Sequence, residues 1–240
     1  MDRAKGTFEF RQVFPGSYSL TAFSVGDDEN RIGGWQRIEV GDQPVKIALE
    51  LKRGIAVEGR VQIEGNQSTT NPLTNDQIRI MLQPEGRAFG PSAPPAQVHD
   101  DGSFTMRGVV PGMWRIRANA RSAFLKAAWL GSADVTDTPA EFSAGGALKI
   151  VLSMNTATIR GTAPAQENVM LQDGRESEIY RGEHGTMADQ NGQYKFEGLS
   201  PGKYRLFVGD PGAKPEDAGQ EVTVKEGETA VIDLKTPSAP

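Results

Sequence analysis

Few residues in this chain are of types that do chemistry. It has no cysteine, which removes disulfides, thiolate metal sites and thiol nucleophiles. Its two histidines, His99 and His184, read as loop residues just before a repeated turn. A two-histidine metal site joining those loops is the sharper alternative. Asp100-Asp101-Gly102 and Asp189-Gln190-Asn191-Gly192 resemble the start of a calcium loop. Such a loop would carry ligands onward to a distal Glu, whereas here an aromatic strand pattern begins at once. Both stretches therefore read as turns in which Asp and Asn bond the backbone and Gly takes a positive φ. Asp27, Asp28 and Glu29 form another acidic loop, read as solvated. There is no nucleophile elbow, phosphate loop or HExxH motif. An enzyme is not expected, and no cofactor or metal.

What remains could bind rather than react. Trp35 and Trp129 fall at nearly the same distance beyond two Pro-Gly pairs, Pro15-Gly16 and Pro111-Gly112. Exposed, such rings could stack on sugar faces; the favoured alternative is that they cover a sandwich end or fill a contact between units. Arg107, Arg115 and Arg117 alternate with apolar residues and share one outward face. That face reads as an ordinary charged sheet surface, with an anion or sulfated-glycan patch as the alternative. The candidate ligand-binding residues are thus Trp35, Trp129, Arg115 and Arg117.

The elements that position these residues are three copies of one pattern. Gly6 to Ala22 reads GTFEFRQVFPGSYSLTA, Gly102 to Ala118 reads GSFTMRGVVPGMWRIRA, and Gly192 to Val208 reads GQYKFEGLSPGKYRLFV. They align without a gap. Apolar residues alternate with polar ones on both sides of Pro-Gly, the period of half-buried strands. Each copy is expected to be a strand–turn–strand hairpin, with Tyr18, Trp114 and Tyr204 pointing inward.

The 240 residues include 28 Gly and 15 Pro, and no long helical pattern interrupts them, which suits an all-β chain. The copies lie too far apart for a solenoid, and each spacing can hold its own core. Residues 1–53 are expected to be the C-terminal half of a β-sandwich unit. Residues 54–154 and 155–236 are expected to be complete units, and 237–240 a disordered tail. The expected strands include Trp35 to Val40, Val45 to Leu51, Ala56 to Ile63 (with Gly59 as a possible bulge, and Gly161 at the same place in the third unit), Gln77 to Gln83 and Ala147 to Met154. Ala157 to Ala163, Val169 to Gln172 and Ala230 to Lys235 follow; Ser122 to Gly131 could be a strand or a helical turn.

The net charge is −5, and the acidic excess lies in residues 155–240. Without a basic block, nucleic acid and anionic membrane are poor partners. No apolar run is long enough to span a bilayer, and no signal peptide is visible. The half unit at the start would expose its core, so it should be completed by upstream sequence, be completed by another chain, or pack on the second unit.

Asp189 to Leu206, reading DxNGxYxFxGLxPGxYxL, resembles the carboxypeptidase regulatory-like domain, a transthyretin-like Greek-key β-sandwich. It is also similar to the collagen-adhesin B-type repeat. The second copy matches with Trp114 and Val109 in place of Tyr and Leu; the first lacks the leading Asp. The resemblance implies tandem Greek-key β-sandwiches, one partial and two complete. It implies a non-catalytic, extracytoplasmic spacer, scaffold or protein-interaction array of a larger bacterial surface or secreted protein. Its partners would be other domains of a longer chain or a second protein. The alternatives are a carbohydrate-binding module using exposed Trp, and a regulatory domain beside an enzyme or outer-membrane transporter. Some relatives carry a Lys–Asn crosslink assisted by Glu. The continuation that accompanies it is missing here, so none is expected.

Overall fold

The structure, a computed structural model, describes residues 6–24, 31–65, 72–84, 93–120, 122–143, 146–174, 183–209 and 219–235. The acidic loop at 27–29, most of the 86–95 loop, the 176–182 stretch and the tail lie outside the described residues. Among those described, the regular elements are β-strands and one 3-10 turn, Asn75–Gln77.

The first region is one sheet. Strands β1 (Gly16–Phe23), β2 (Ile32–Val40) and β3 (Lys52–Arg53) lie in that order. β1 and β2 are antiparallel, with Tyr18 opposite Ile38 and Leu20 opposite Gln36. Two expected strands are not there. Val45 to Leu51 has no regular structure, and Phe8 to Phe10 is represented by an isolated bridge at Thr7. In the second region the matching stretches pair with β4, and among the described residues of the first region no strand stands in that place.

The second region contains β4 (Ile55–Glu64), β5 (Arg79–Pro84), β6 (Ala96–Gln97), β7 (Ser103–Val109), β8 (Gly112–Asn119), β9 (Phe124–Leu130), β10 (Ala133–Asp134), β11 (Ala140–Phe142) and β12 (Ala147–Ser153). They form two sheets, ordered β10-β9-β12-β4-β7 and β11-β8-β5-β6. Val57, Phe104, Met106 and Ile150 from the first meet Ile80, Leu82, Trp114, Ile116 and Phe142 from the second in one core. The ambiguous stretch Ser122 to Gly131 is strand β9, which is held between β10 and β12.

The third region repeats the plan with β13 (Ala157–Thr162), β14 (Asn168–Asp173), β15 (Glu183–Met187), β16 (Gln193–Leu199), β17 (Gly202–Val208), β18 (Gln220–Val224) and β19 (Thr229–Val231). Its sheets are β16-β13-β19 and β15-β14-β17-β18. They share a core containing Ile159, Leu171, Tyr194, Tyr204 and Leu206. β19 is shorter than the expected closing strand. Its ladder nevertheless runs on, since Ile232 N–H donates to the Arg160 carbonyl and Leu234 N–H to that of Thr162.

The Pro-Gly pair does not close a hairpin. β7 pairs with β4, whereas β8 pairs with β5 and β11 in the other sheet. β16 and β17 are divided in the same way, pairing with β13 and with β14 and β18. The repeated motif is a corner that carries the chain from one layer to the next. Its bend has a local cause. The β4–β7 register slips by one residue between Ile55 and Val57, and the β13–β16 register slips between Ala157 and Ile159. The extra residue lies on β7 or β16, beside Gly108 (φ 68°) or Gly198 (φ 75°), which is the arrangement of a glycine bulge. Gln12 takes the same left-handed conformation (φ 58°) at the matching place in the first copy. Gly59 and Gly161 are therefore not the bulges. Each permits close approach: a Cβ on Gly59 would strike the Phe104 ring and the Leu148 carbonyl, and one on Gly161 the Ile232 carbonyl.

Candidate functional site

Each corner carries the same local hydrogen bond. Tyr18 Oη–H donates to the Phe14 carbonyl at 2.8 Å, Trp114 Nε1–H to the Val110 carbonyl at 2.9 Å, and Tyr204 Oη–H to the Ser200 carbonyl at 2.8 Å. The acceptor is always the residue before Pro, four positions upstream. Pro offers no N–H and fixes its own φ, so the ring reaches back over the turn and holds it shut. The strand that follows also pairs in one register. Gly16, Gly112 and Gly202 lie opposite Val40, Phe142 and Val224, and the three rings opposite Ile38, Ala140 and Val222.

The surroundings differ. Trp114 and Tyr204 are buried, at 5% and 3% exposure, while Tyr18 is 38% exposed. Phe14 reaches 81% and Phe10 68%. Among the described residues before Val57, no apolar side chain is buried. The expectation that all three rings point into a core holds for Trp114 and Tyr204 and fails for Tyr18. In the second and third regions β5 and β14 pair with the strand bearing the ring, and β4 and β13 with the arm before it. β1 has no such neighbour among the described strands and stands at the end of its sheet.

The first sheet rests on the second corner through glycines. A Cβ on Gly33 would lie 2.8 Å from Val110 Cγ2, and one on Gly112 only 2.6 Å from Trp35 Nε1. A Cβ on Gly54 would lie 2.7 Å from Gly108 Cα. Trp35 thus lies beside the Pro111-Gly112 turn with 44% of its surface exposed. The first sheet thus touches the second region at these positions without burying its own apolar side chains.

Trp129 lies on β9, a different sheet, partly buried, with Lys149 Nζ 5.3 Å from its ring centroid. That cation occupies one ring face. Arg115 and Arg117 share the outer face of β8, half-buried. Arg115 donates to the Asp137 carbonyl, and Arg117 Nε donates to Gln83 Oε1 at 3.1 Å. Trp35, Trp129 and the arginine pair therefore have separate neighbours on three sheets. His99 lies in the turn before β7, but His184 lies within strand β15, opposite Leu171, rather than in a loop. No three His, Asp or Glu side chains converge among the described residues. The Asp-Gly stretches form turns. Asp101 Oδ1 accepts from Ser103 Oγ–H and N–H, which hold its carboxyl below the usual range, and Asp189 Oδ1 accepts from the N–H groups of Asn191 and Gln193.

One polar cluster went unread in the sequence. Lys126 Nζ lies 3.2 Å from both Glu64 Oε2 and Glu226 Oε1, and the fully buried Ser153 donates to Glu226 Oε1 at 2.6 Å. The Ser153 bond, then Lys126 and Asn155, hold the Glu226 carboxyl below its ordinary value. Glu64, then Glu226, raise Lys126. The cluster ties β4, β9 and β12 to the turn before β19. Its members are far apart in sequence, and no local pattern joins them.

Residues 156–236 match the family model of the carboxypeptidase regulatory-like domain. No curated protein matches the chain. Among solved structures, a streptococcal ancillary pilin is 12% identical, covering 95% of this chain and 77% of its own, at a TM-score of 0.32. GBS52, the minor pilin of Streptococcus agalactiae, is 11% identical, covering 77% of this chain and 99% of its own, at a TM-score of 0.37. The shaft pilin SpaA of Lactobacillus rhamnosus GG is 9% identical, covering 79% of this chain and all of its own, at a TM-score of 0.25. Superposition this loose says nothing of a role.

Proposed function

We propose that the chain is a non-catalytic array of β-sandwich units, divided at residues 1–53, 54–154 and 155–236, that serves as scaffold and protein-interaction region of a larger extracytoplasmic protein. One observation carries this reading. Among the described residues the candidate polar side chains are engaged in turns, sheet faces and the Lys126–Glu226 junction, while the first region leaves Phe10, Phe14, Tyr18 and Phe23 exposed. Exposed apolar surface of this kind marks contact with another protein surface. The regulatory-like family matched over 156–236 supports a non-catalytic role. The extracytoplasmic setting rests on that family resemblance.

Limited proteolysis tests the division. Residues 54–235 should survive as a core once residues 1–53 are removed, and loss of 155–236 before 1–53 would overturn it. The glycan alternative is tested on an array with Trp35→Ala and Trp129→Ala. Binding that either substitution abolishes would replace the protein-interaction reading with a sugar-binding one.

A further inference from the structure

Residues two apart on a strand share a face, and on two strands of this molecule such a pair joins a cation to an acid. Arg37 lies beside Glu39 on β2, and Lys195 beside Glu197 on β16. The outer face of β8 is different, because Arg115 is followed at that spacing by Arg117. Arg79 of β5 extends the row: it lies opposite Asn119, while Met81 lies opposite Arg117. All three arginines are half-buried, and all three are anchored by neutral oxygens. Arg115 donates to the Asp137 carbonyl, Arg117 Nε to Gln83 Oε1 at 3.1 Å, and Arg79 to the carbonyls of Asp76 and Ile78. Among the described ion pairs, none includes any of them. A guanidinium carries five N–H donors in a fixed fork. The anchors therefore orient the three forks and leave donors over, with no counter-charge on the face itself.

We propose that the outer face of β8 and β5 docks an extended acidic segment of a partner protein, with carboxylates at alternate positions meeting Arg115, Arg117 and Arg79. Charge complementarity selects the sign of the partner, and arginine forks suit carboxylates in particular. Spacing selects its form. Alternate side chains of an extended chain repeat at about 7 Å, which is the repeat from Arg115 to Arg117, and Arg79 follows at about 7–8 Å on the diagonal. Half-buried Met81 and Met113 lie on the same face. Their thioethers offer adaptable apolar surface to the side chains between the acids, for which a sulfated sugar has no use. Exposed Asp137 and Glu141, on the β11 side, repel an acidic chain there and direct it along β8 towards Arg79. The inference goes beyond the scaffold reading and uses a different face from the exposed aromatics of the first region. That reading would stand if the arginine face bound nothing.

Fluorescence anisotropy on the full chain tests this with four labelled probes. They are a peptide of six Glu-Thr repeats, its block isomer of six Glu followed by six Thr, a peptide of six Lys-Thr repeats, and a heparin hexasaccharide. The alternating acidic peptide should bind, and more tightly than the block isomer. R115Q/R117Q should weaken it roughly tenfold or more. Arg60→Gln, on the other sheet, should leave it unchanged. R115E/R117E should lose the Glu-Thr peptide and gain the Lys-Thr peptide, a switch that misfolding would not produce. No binding at about 1 mM peptide, equal affinity for the alternating and block peptides, or indifference to R115Q/R117Q would each overturn the proposal. Tighter binding of the heparin hexasaccharide than of the Glu-Thr peptide would overturn it too, by assigning the face to a sulfated glycan.

Discussion

The first and third copies of the corner share Gly, Phe, Pro-Gly, Tyr and Leu at matching places and differ in almost everything around them. Both close a ring onto the carbonyl before Pro, and both pair the next strand in the same register. In the third copy, β14 lies against the ring-bearing strand and β13 against the preceding arm, so Tyr204 and Leu206 are buried. In the first copy no described strand occupies either place, and Tyr18 stays 38% exposed. The difference separates two roles of one sequence pattern. The corner is a self-sufficient local structure, and the core is a consequence of what is packed onto it.

Truncating the central aliphatic gives the largest test of that separation. Leu206→Ala should cost about 2–5 kcal/mol in the unfolding of the third region, as for a fully buried leucine. Leu20→Ala should cost less than about 1 kcal/mol. Equal losses in chemical denaturation would erase the contrast. A smaller effect comes from the ring hydroxyl. Tyr204→Phe leaves the half-buried Ser200 carbonyl without the Tyr204 hydroxyl and should cost about 1 kcal/mol. Tyr18→Phe should fall within about 0.5 kcal/mol, because water reaches the exposed Phe14 carbonyl.

Smaller still is the pH response of the junction, for which the first region has no counterpart among the described ion pairs. Glu226 titrates below its ordinary value, so its contribution is complete above the usual carboxylate range and is lost as pH falls through the lowered value. Lys126 titrates above its ordinary value, so its contribution is complete below the usual lysine range and is lost as pH rises through the raised value. The denaturation midpoints of the unsubstituted chain and Glu226→Gln should therefore differ at neutral pH and converge in acid. A constant difference would mean that the Ser153–Glu226 bond does not depend on the carboxylate charge. The bulge gives effects of opposite sign in the two regions. Gln12→Gly relieves a left-handed non-glycine and should gain less than about 1 kcal/mol, whereas Gly198→Gln should lose about 1 kcal/mol; thermal unfolding of the two variants checks the opposite signs.

Much of the fold was legible because alternation and Pro-Gly are local signals. β1, β4, β8, β12 and β17 fall where the period-two pattern places them. Three features were not legible. The corner reads as a hairpin until pairing partners are known, since alternation is the same whether two strands share a ladder or face each other across a core. Val45 to Leu51 alternates like β12 yet lacks strand structure, because among the described residues no parallel partner such as β4 stands beside it. Gly59 reads as a bulge, but the bulge belongs to its partner strand at Gly108. Of the candidate site, Trp35 stood out in the sequence by its distance from Pro-Gly. Its seat against Gly112 was not, and neither was the docking of Gly33 on Val110, since nothing local links β2 to the second corner.

What the amino-acid order settled alone is whatever closes within about five residues. The ring-to-carbonyl bond and the left-handed residue ahead of Pro recur in all three copies, including the one without a core. Burial and sheet membership were decided only by tertiary structure. Each depends on a strand from a distant part of the chain, and the entropy of bringing it there is recovered only where a complete apolar face awaits it.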